Sequence, residues 1–86
     1  MKELERILKA LANKRRLAIL RFLKEDKEVT VGEIAVAIHL SFKATSKHLG
    51  ILTNVDILER DQRSIFIFYR LTKKPPIFFK SILSLL

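Results

Sequence analysis

Residues 30–52 read TVGEIAVAIHLSFKATSKHLGIL, a run that spells out two helices with almost nothing between them. Thr30 and Glu33 stand at the spacing of a capping box, and Val29 and Ile34 at the flanking positions of a hydrophobic staple, so a helix is predicted to start here. Its apolar set is Val31, Ile34, Ala35 and Ile38. His39 and Leu40 then form a short turn, and Ser41 is placed to cap a second helix running to about Asn54. Helices joined so closely must cross steeply.

Rotating each residue of that second helix by about 100° separates two populations. Thr45, Leu49 and Leu52 centre one side; Lys43, Ser46, Lys47, Gly50 and Asn54 lie on the other. The outer side is basic and hydroxylated without an acid in it, whereas an ordinary solvated face mixes signs. An α-helix fits the major groove of B-form DNA, where lysine reaches guanine O6 and N7 and serine pairs with several base edges. Lys43, Ser46 and Lys47 are therefore the candidates for approaching bases. His48, toward the edge of the buried side, has three readings: a half-buried partner of its neighbours or of a phosphate, a base contact, or a metal ligand. Gly50 costs the helix roughly 1 kcal/mol relative to alanine, which signals close packing or a tolerated weakness.

Upstream, Leu4, Ile7, Leu8 and Leu11 recur at i, i+3, i+4 and i+7 and predict a first helix with Glu3, Arg6 and Lys9 outside its stripe. Asn13 is placed to cap the next helix, about Lys14 to Lys24, which is expected to bury Leu17, Leu20 and Leu23 with help from Ile19 and Phe22. Lys14, Arg15 and Arg16 cluster at its start, where backbone N–H groups already favour anions, and are candidates for holding phosphate. The EDKE run at residues 25–28 reads as a polar connector.

Downstream the period changes. ILER (57–60), a polar DQRS tip (61–64) and IFIFYRL (65–71) predict a β-hairpin. Alternation puts Ile65, Ile67, Tyr69 and Leu71 on one face and Phe66, Phe68 and Arg70 on the other, so neither face is wholly polar. Arg63 at the tip and Arg60 beside it suit a wing that follows a phosphate backbone or enters a minor groove, although Asp61 between them would repel phosphate. Pro75 and Pro76 stop the strand. IFFKSILSLL (77–86) follows, with Phe78, Phe79, Ile82, Leu83 and Leu86 at helical spacing. So wide an apolar stripe should be covered by protein, and pairing with Leu4, Ile7, Leu8 and Leu11 in a dimer explains it better than packing within the chain or docking on a membrane.

The totals agree with a small binding domain. Eighty-six residues allow one core, and 17 Lys and Arg against nine Asp and Glu leave a formal net charge of +8, a balance that favours polyanions. Cysteine is absent, which removes disulfides, thiolate metal sites and Cys nucleophiles and leaves a second subunit as the remaining source of stability. No Gly-rich phosphate loop, Ser-His-Asp set or pair of buried carboxylates can be assembled, so an enzyme is not expected. His39 reads as a turn residue, because no second metal ligand stands at a useful spacing, and neither metal nor cofactor is expected. The charged start MKELERILKAL reads as neither a signal peptide nor a membrane span, which points to the cytoplasm.

LANKRRLAIL (11–20), the opening run, the order of elements and the hairpin ending in YRL (69–71) together resemble the ArsR-type winged helix-turn-helix repressors over about residues 4 to 72. The most diagnostic piece is Ser46, His48, Leu49 and Leu52 in SKHLGIL, which matches the family's S-x-H-L-x-x-L recognition helix. Arg16 matches the arginine of its L-A-x-x-x-R-L motif. The resemblance implies a mainly α fold with a small β-hairpin wing, and a cytoplasmic homodimer that binds an imperfect palindrome in promoter double-stranded DNA and represses transcription. On this reading residues 1–86 form one winged helix-turn-helix domain, with 1–12 and 76–86 as the dimerisation helices.

The chain departs from the family's pattern in several places. Its metal sensors commonly carry Cys-x-Cys on the third helix, where VGEIAVAIHL has no thiol; others use Asp, His and Glu on the last helix, where IFFKSILSLL has none. Lys43 stands where proline is common, Phe42 where glutamine is frequent, and His39 where glycine or asparagine is usual. Two rivals keep the fold but change its use: a protein-interaction module that touches no DNA, and an RNA-binding winged helix.

Overall fold

The structure, a computed structural model, describes residues 1–25 and 27–86. Its elements run α1 (Lys2–Leu11), α2 (Lys14–Leu23), β1 (Val29–Thr30), α3 (Val31–Ile38), α4 (Phe42–Asn54), β2 (Leu58–Arg63), β3 (Phe66–Leu71) and α5 (Ile77–Ser84). This is the winged helix-turn-helix order expected, mainly α with a small antiparallel sheet.

The helix starts follow from their caps. The Asn13 side chain accepts from the backbone N–H of Arg15 at 2.9 Å and of Arg16 at 3.1 Å, which holds the first turn of α2. At α3 the capping box is complete: Glu33 N–H donates to the Thr30 hydroxyl at 3.3 Å and Thr30 N–H to the Glu33 carboxylate at 3.0 Å. His39 ends α3 in the left-handed region, at φ 56°, and Leu40 N–H closes the turn on Ala35 O at 3.0 Å. The chain is thereby reversed into Ser41, whose hydroxyl accepts from Ala44 N–H at 3.1 Å and begins α4.

The core joins all five helices to the sheet. Ile19, Leu20 and Leu23 of α2, Ile34 of α3, Leu49 and Leu52 of α4, and Ile57 have no exposed surface. Leu17 and Phe22, expected beside them, are only half-buried. The leucine stripe of α1 divides: Ile7 and Leu11 lie in this core, Leu4 is half-buried, and Leu8 is 46% exposed. α5 divides similarly. Phe79 is buried, Phe78, Ile82, Leu83 and Leu86 pack partly against the core, and Ile77 and Leu85 face outward. Ile7, Leu11 and Phe79 therefore stabilise the chain's own interior, which differs from their expected place in a seam between two copies.

The sheet corrects the hairpin in two respects. Its strand order is β1-β3-β2, all antiparallel, with Val29 opposite Tyr69 and Thr30 opposite Phe68. A two-residue strand has no period to read, so β1 leaves no sign in the sequence beyond the staple. The tip is also displaced: Asp61, Gln62 and Arg63 are paired in the ladder, Arg63 stands opposite Phe66, and the turn is Ser64–Ile65. Ser64 adopts φ 58°, the sign that two-residue hairpin turns need to match strand twist. Ile65, expected within the strand, is 84% exposed at that turn.

This register puts Leu58, Arg60 and Gln62 on the side of Ile67, Tyr69 and Leu71, and Glu59, Asp61 and Arg63 on the side of Phe66, Phe68 and Arg70. Around Phe68 and Arg70 the second face carries a network of its own charged side chains, while Phe66 at its end stays exposed. Glu28 accepts from Arg63 and, at 3.0 Å, from Arg70; Arg70 also reaches Glu59 at 3.2 Å; Arg63 reaches Asp61 at 3.0 Å and lies 4.8 Å from the centre of the Phe68 ring. Glu59 also accepts from the Thr72 hydroxyl and the Lys73 N–H, each at 3.1 Å.

Candidate nucleic-acid interface

α4 is mounted rigidly by its inner side. Thr45 is fully buried and its hydroxyl stays satisfied, because it donates to Ser41 O at 2.7 Å. Leu49 and Leu52 extend the same buried line. On the other side Lys43, Lys47 and Asn54 are exposed and Ser46 and Gly50 half-buried, so the expected two-sidedness of the helix is present. A Cβ built on Gly50 would meet nothing within 4 Å, which removes close packing inside the chain as its explanation.

The basic start of α2 separates into residues that face solvent and residues engaged within the chain. Lys14 is exposed. Arg15 donates to Ile38 O at 3.1 Å and so ties α2 to the end of α3. Arg16 donates to Ala10 O, to Lys9 O at 3.4 Å and to Nδ1 of His48 at 3.1 Å, joining the end of α1 to α4. Since arginine only donates, Nδ1 is the acceptor and the remaining imidazole proton sits on Nε2. Burial, then the positive charges of Arg16, Lys47 and Arg15, hold the His48 pKa below its ordinary 6.5 and so favour the neutral ring.

The wing arginines also part company. Arg60 and Arg63, expected side by side, lie on opposite faces of the sheet because they are three residues apart in a strand of period two. The Arg63 guanidinium is shared between Glu28 and Asp61, hydrogen bonds that raise its pKa further. Arg60 is exposed, with no side-chain partner among the described residues. The Asp61 carboxylate, expected to repel phosphate, instead pairs with Arg63. The nine candidates thus form two groups, with Lys14, Lys43, Lys47 and Arg60 exposed and Ser46 half-buried beside them, against Arg15, Arg16, His48 and Arg63, which have partners inside the chain.

Sequence reasoning missed the Glu28–Arg70–Glu59 ladder and the apolar corner where Phe42 meets the wing turn. An exposed aromatic at the first position of a helix was the available signal for the second. Among the described residues no three His, Cys, Asp or Glu side chains gather as metal ligands would, and no helix is long and apolar enough to cross a membrane.

Comparison with known proteins places this geometry. Residues 13–60, more than half of the chain, match the family described as bacterial regulatory protein, arsR family. The transcriptional activator HlyU of Vibrio cholerae is 39% identical over 66 residues, 77% of this chain but only 60% of that protein, so the chain matches less than two thirds of this relative. The structure of reduced HlyU has a TM-score of 0.82 at 33% identity, covering 98% of this chain and 84% of that one. The homodimeric winged helix-turn-helix DNA-binding domain of Mb0332 from Mycobacterium bovis also has 0.82, at 28% identity, over 98% and 74% of the two chains. The transcriptional repressor BigR from Xylella fastidiosa has 0.80 at 28% identity, over 98% and 82%.

Proposed function

The chain belongs to the arsR family of bacterial regulatory proteins, DNA-binding transcriptional regulators with the winged helix-turn-helix fold, and from that premise we propose that it works as a homodimer that represses transcription by occupying a palindromic operator. Each α4 enters a major groove, with Lys43, Ser46 and Lys47 toward the bases. Two such helices engage sites about one turn of DNA apart, roughly 34–36 Å. Lys14 and Arg60 hold phosphates on either side. Occupancy of a promoter excludes polymerase without any further contact, so repression asks nothing more of this small unit, and its place of action is the cytoplasm.

The observation that carries the reading is the outer side of α4, which presents Lys43 and Lys47 with no acid anywhere in the helix while Thr45, Leu49 and Leu52 anchor it from behind. The dimer reading is supported by the apolar surface that α1 and α5 leave uncovered: Met1, Leu4, Leu8 and Ala12 line one shallow groove, and Ile77 and Leu85 are exposed at the two ends of the last helix. A homodimeric relative of the same fold adds to it.

Binding of duplex DNA measured by fluorescence anisotropy across salt concentrations tests the reading. Neutralising six to ten phosphates should weaken binding roughly 10³–10⁵-fold between 50 and 200 mM salt. Lys47→Glu should abolish retention of DNA while circular dichroism and sedimentation stay as in the wild type. Undiminished binding by that variant would remove α4 from the interface, whereas a wild-type chain that retains no duplex would leave the protein-interaction reading in its place.

A further inference from the structure

Large apolar side chains that face solvent gather at two places besides Val36 on α3. Met1 and Leu8 belong to α1 and its N-cap and Ile77 and Leu85 to α5 and its C-cap; Phe42, Ile65 and Phe66 lie together where α4 begins and the wing turns. Phe42 is the first residue of α4 and 63% exposed, Ile65 is 84% exposed, and Phe66 55% exposed, and with Ile67 and the start of α3 they line one groove. Among the described residues nothing covers this groove. We propose that it is a thymine-reading corner, in which Phe42, backed by Ile65 and Phe66, packs on the C5-methyl group of a thymine in each half-site.

The inference rests on the DNA-binding reading and deepens it. Residues at the start of a helix that enters the major groove come nearest the base edges, and Phe42 occupies that position one turn before Ser46 on the flank of the basic face. A phenyl ring offers no hydrogen bond to a base. Among the edges exposed in the major groove, only thymine presents an apolar group, so an apolar side chain placed there discriminates thymine by its methyl. The surroundings favour a polyanion over an apolar protein partner. Lys43 is adjacent and exposed, and the Asp61 carboxylate of the wing is already paired with Arg63. The groove also continues the face that carries Lys43, Ser46 and Lys47.

The test begins by selecting bound duplexes from a random pool with the full chain, then replaces each thymine of the selected site singly by uracil, which deletes the methyl and nothing else. At one or two positions in each half-site, uracil should weaken wild-type binding roughly fourfold per methyl, the worth of one buried carbon. Phe42→Ala should bind the thymine duplex more weakly and show no further weakening on uracil substitution there, the coupling expected of two groups in contact. Phe42→Gln should shift the base selected at that position away from thymine. Indifference of the wild type to uracil at every position, or equal weakening in wild type and Phe42→Ala, would overturn the proposal while the DNA reading stands. A wild-type chain that retains no duplex at all would overturn both. The uracil arm leaves the protein unaltered, so misfolding of a variant cannot imitate it.

Discussion

The Arg16 guanidinium donates to Nδ1 of His48 at 3.1 Å, and this one bond joins the start of α2 to the middle of the helix that carries the basic face. It requires a neutral imidazole. His48 titrates near its ordinary 6.5 in the unfolded chain and lower in the folded one, because burial and then Arg16, Lys47 and Arg15 disfavour its charge. In that window the unfolded chain binds more protons, so the contribution of His48 is fully present above 6.5 and is lost as pH falls toward the folded value. Urea midpoints should therefore fall from pH 7 to pH 5, and fall less in His48→Gln. Glu33 and Glu59 also have lowered pKa values, but starting from 4.5 they act in a separate, more acid window. An identical slope in wild type and variant would separate His48 from the effect.

Arg60 and Arg63 occupy the same short strand and should behave differently. Arg63 already shares its charge with Glu28 and Asp61, whereas Arg60 projects from the other face without a partner among the described residues. Arg60→Ala should reduce the slope of log K against log salt by about one for each phosphate that the arginine neutralises. Arg63→Ala should leave the slope near that of the wild type. Salt titrations of both variants check this, and a larger change from Arg63 would reverse the assignment.

Gly50 has open space where its side chain would be. Gly50→Ala should stabilise α4 by about 1 kcal/mol, which in a domain of this size raises Tm by roughly 4–8 °C. The same methyl would project toward DNA, so affinity for the selected duplex should drop as stability rises. Calorimetry and anisotropy on one protein preparation measure both. Higher stability at unchanged affinity would show that DNA does not approach the backbone at this position.

Leu8 lies on the exposed strip of α1 rather than in the core. Leu8→Asp should disrupt association with little effect on the fold of one chain, giving monomers in sedimentation experiments with native circular dichroism. Phe79→Asp, by contrast, should unfold the chain, since that ring is 1% exposed. A Leu8→Asp protein that still sediments as a dimer would move the seam away from α1.

Legibility in the sequence follows the range of the interactions. The starts of α2, α3 and α4 can be read because a cap is decided within four residues: Asn13 with Arg15 and Arg16, Thr30 with Glu33, Ser41 with Ala44. The hairpin is legible as a hairpin, but local composition puts its turn too early because DQRS is polar and Ile65 is not. Pairing across the ladder, with Glu28 just before β1 bridging Arg63 of β2 and Arg70 of β3, accompanies the register that the strands adopt instead.

Among the basic candidates the sequence does not separate the free from the engaged, since every arginine and lysine carries the same charge on paper. Which of them stay available is settled by backbone carbonyls and carboxylates brought in from distant segments, Ala10 and Lys9 for Arg16, Ile38 for Arg15, Glu28 for Arg63. The sequence by itself determined the helices, their two-sidedness and the acid-free face of α4, because periodicity and capping are local properties of the chain. Only the tertiary structure decided which cations remain exposed, which leucines of α1 stay outside the core, and that Phe42 shares a corner with the wing. Those outcomes depend on burial and hydrogen bonding between residues far apart in sequence, which no local pattern encodes.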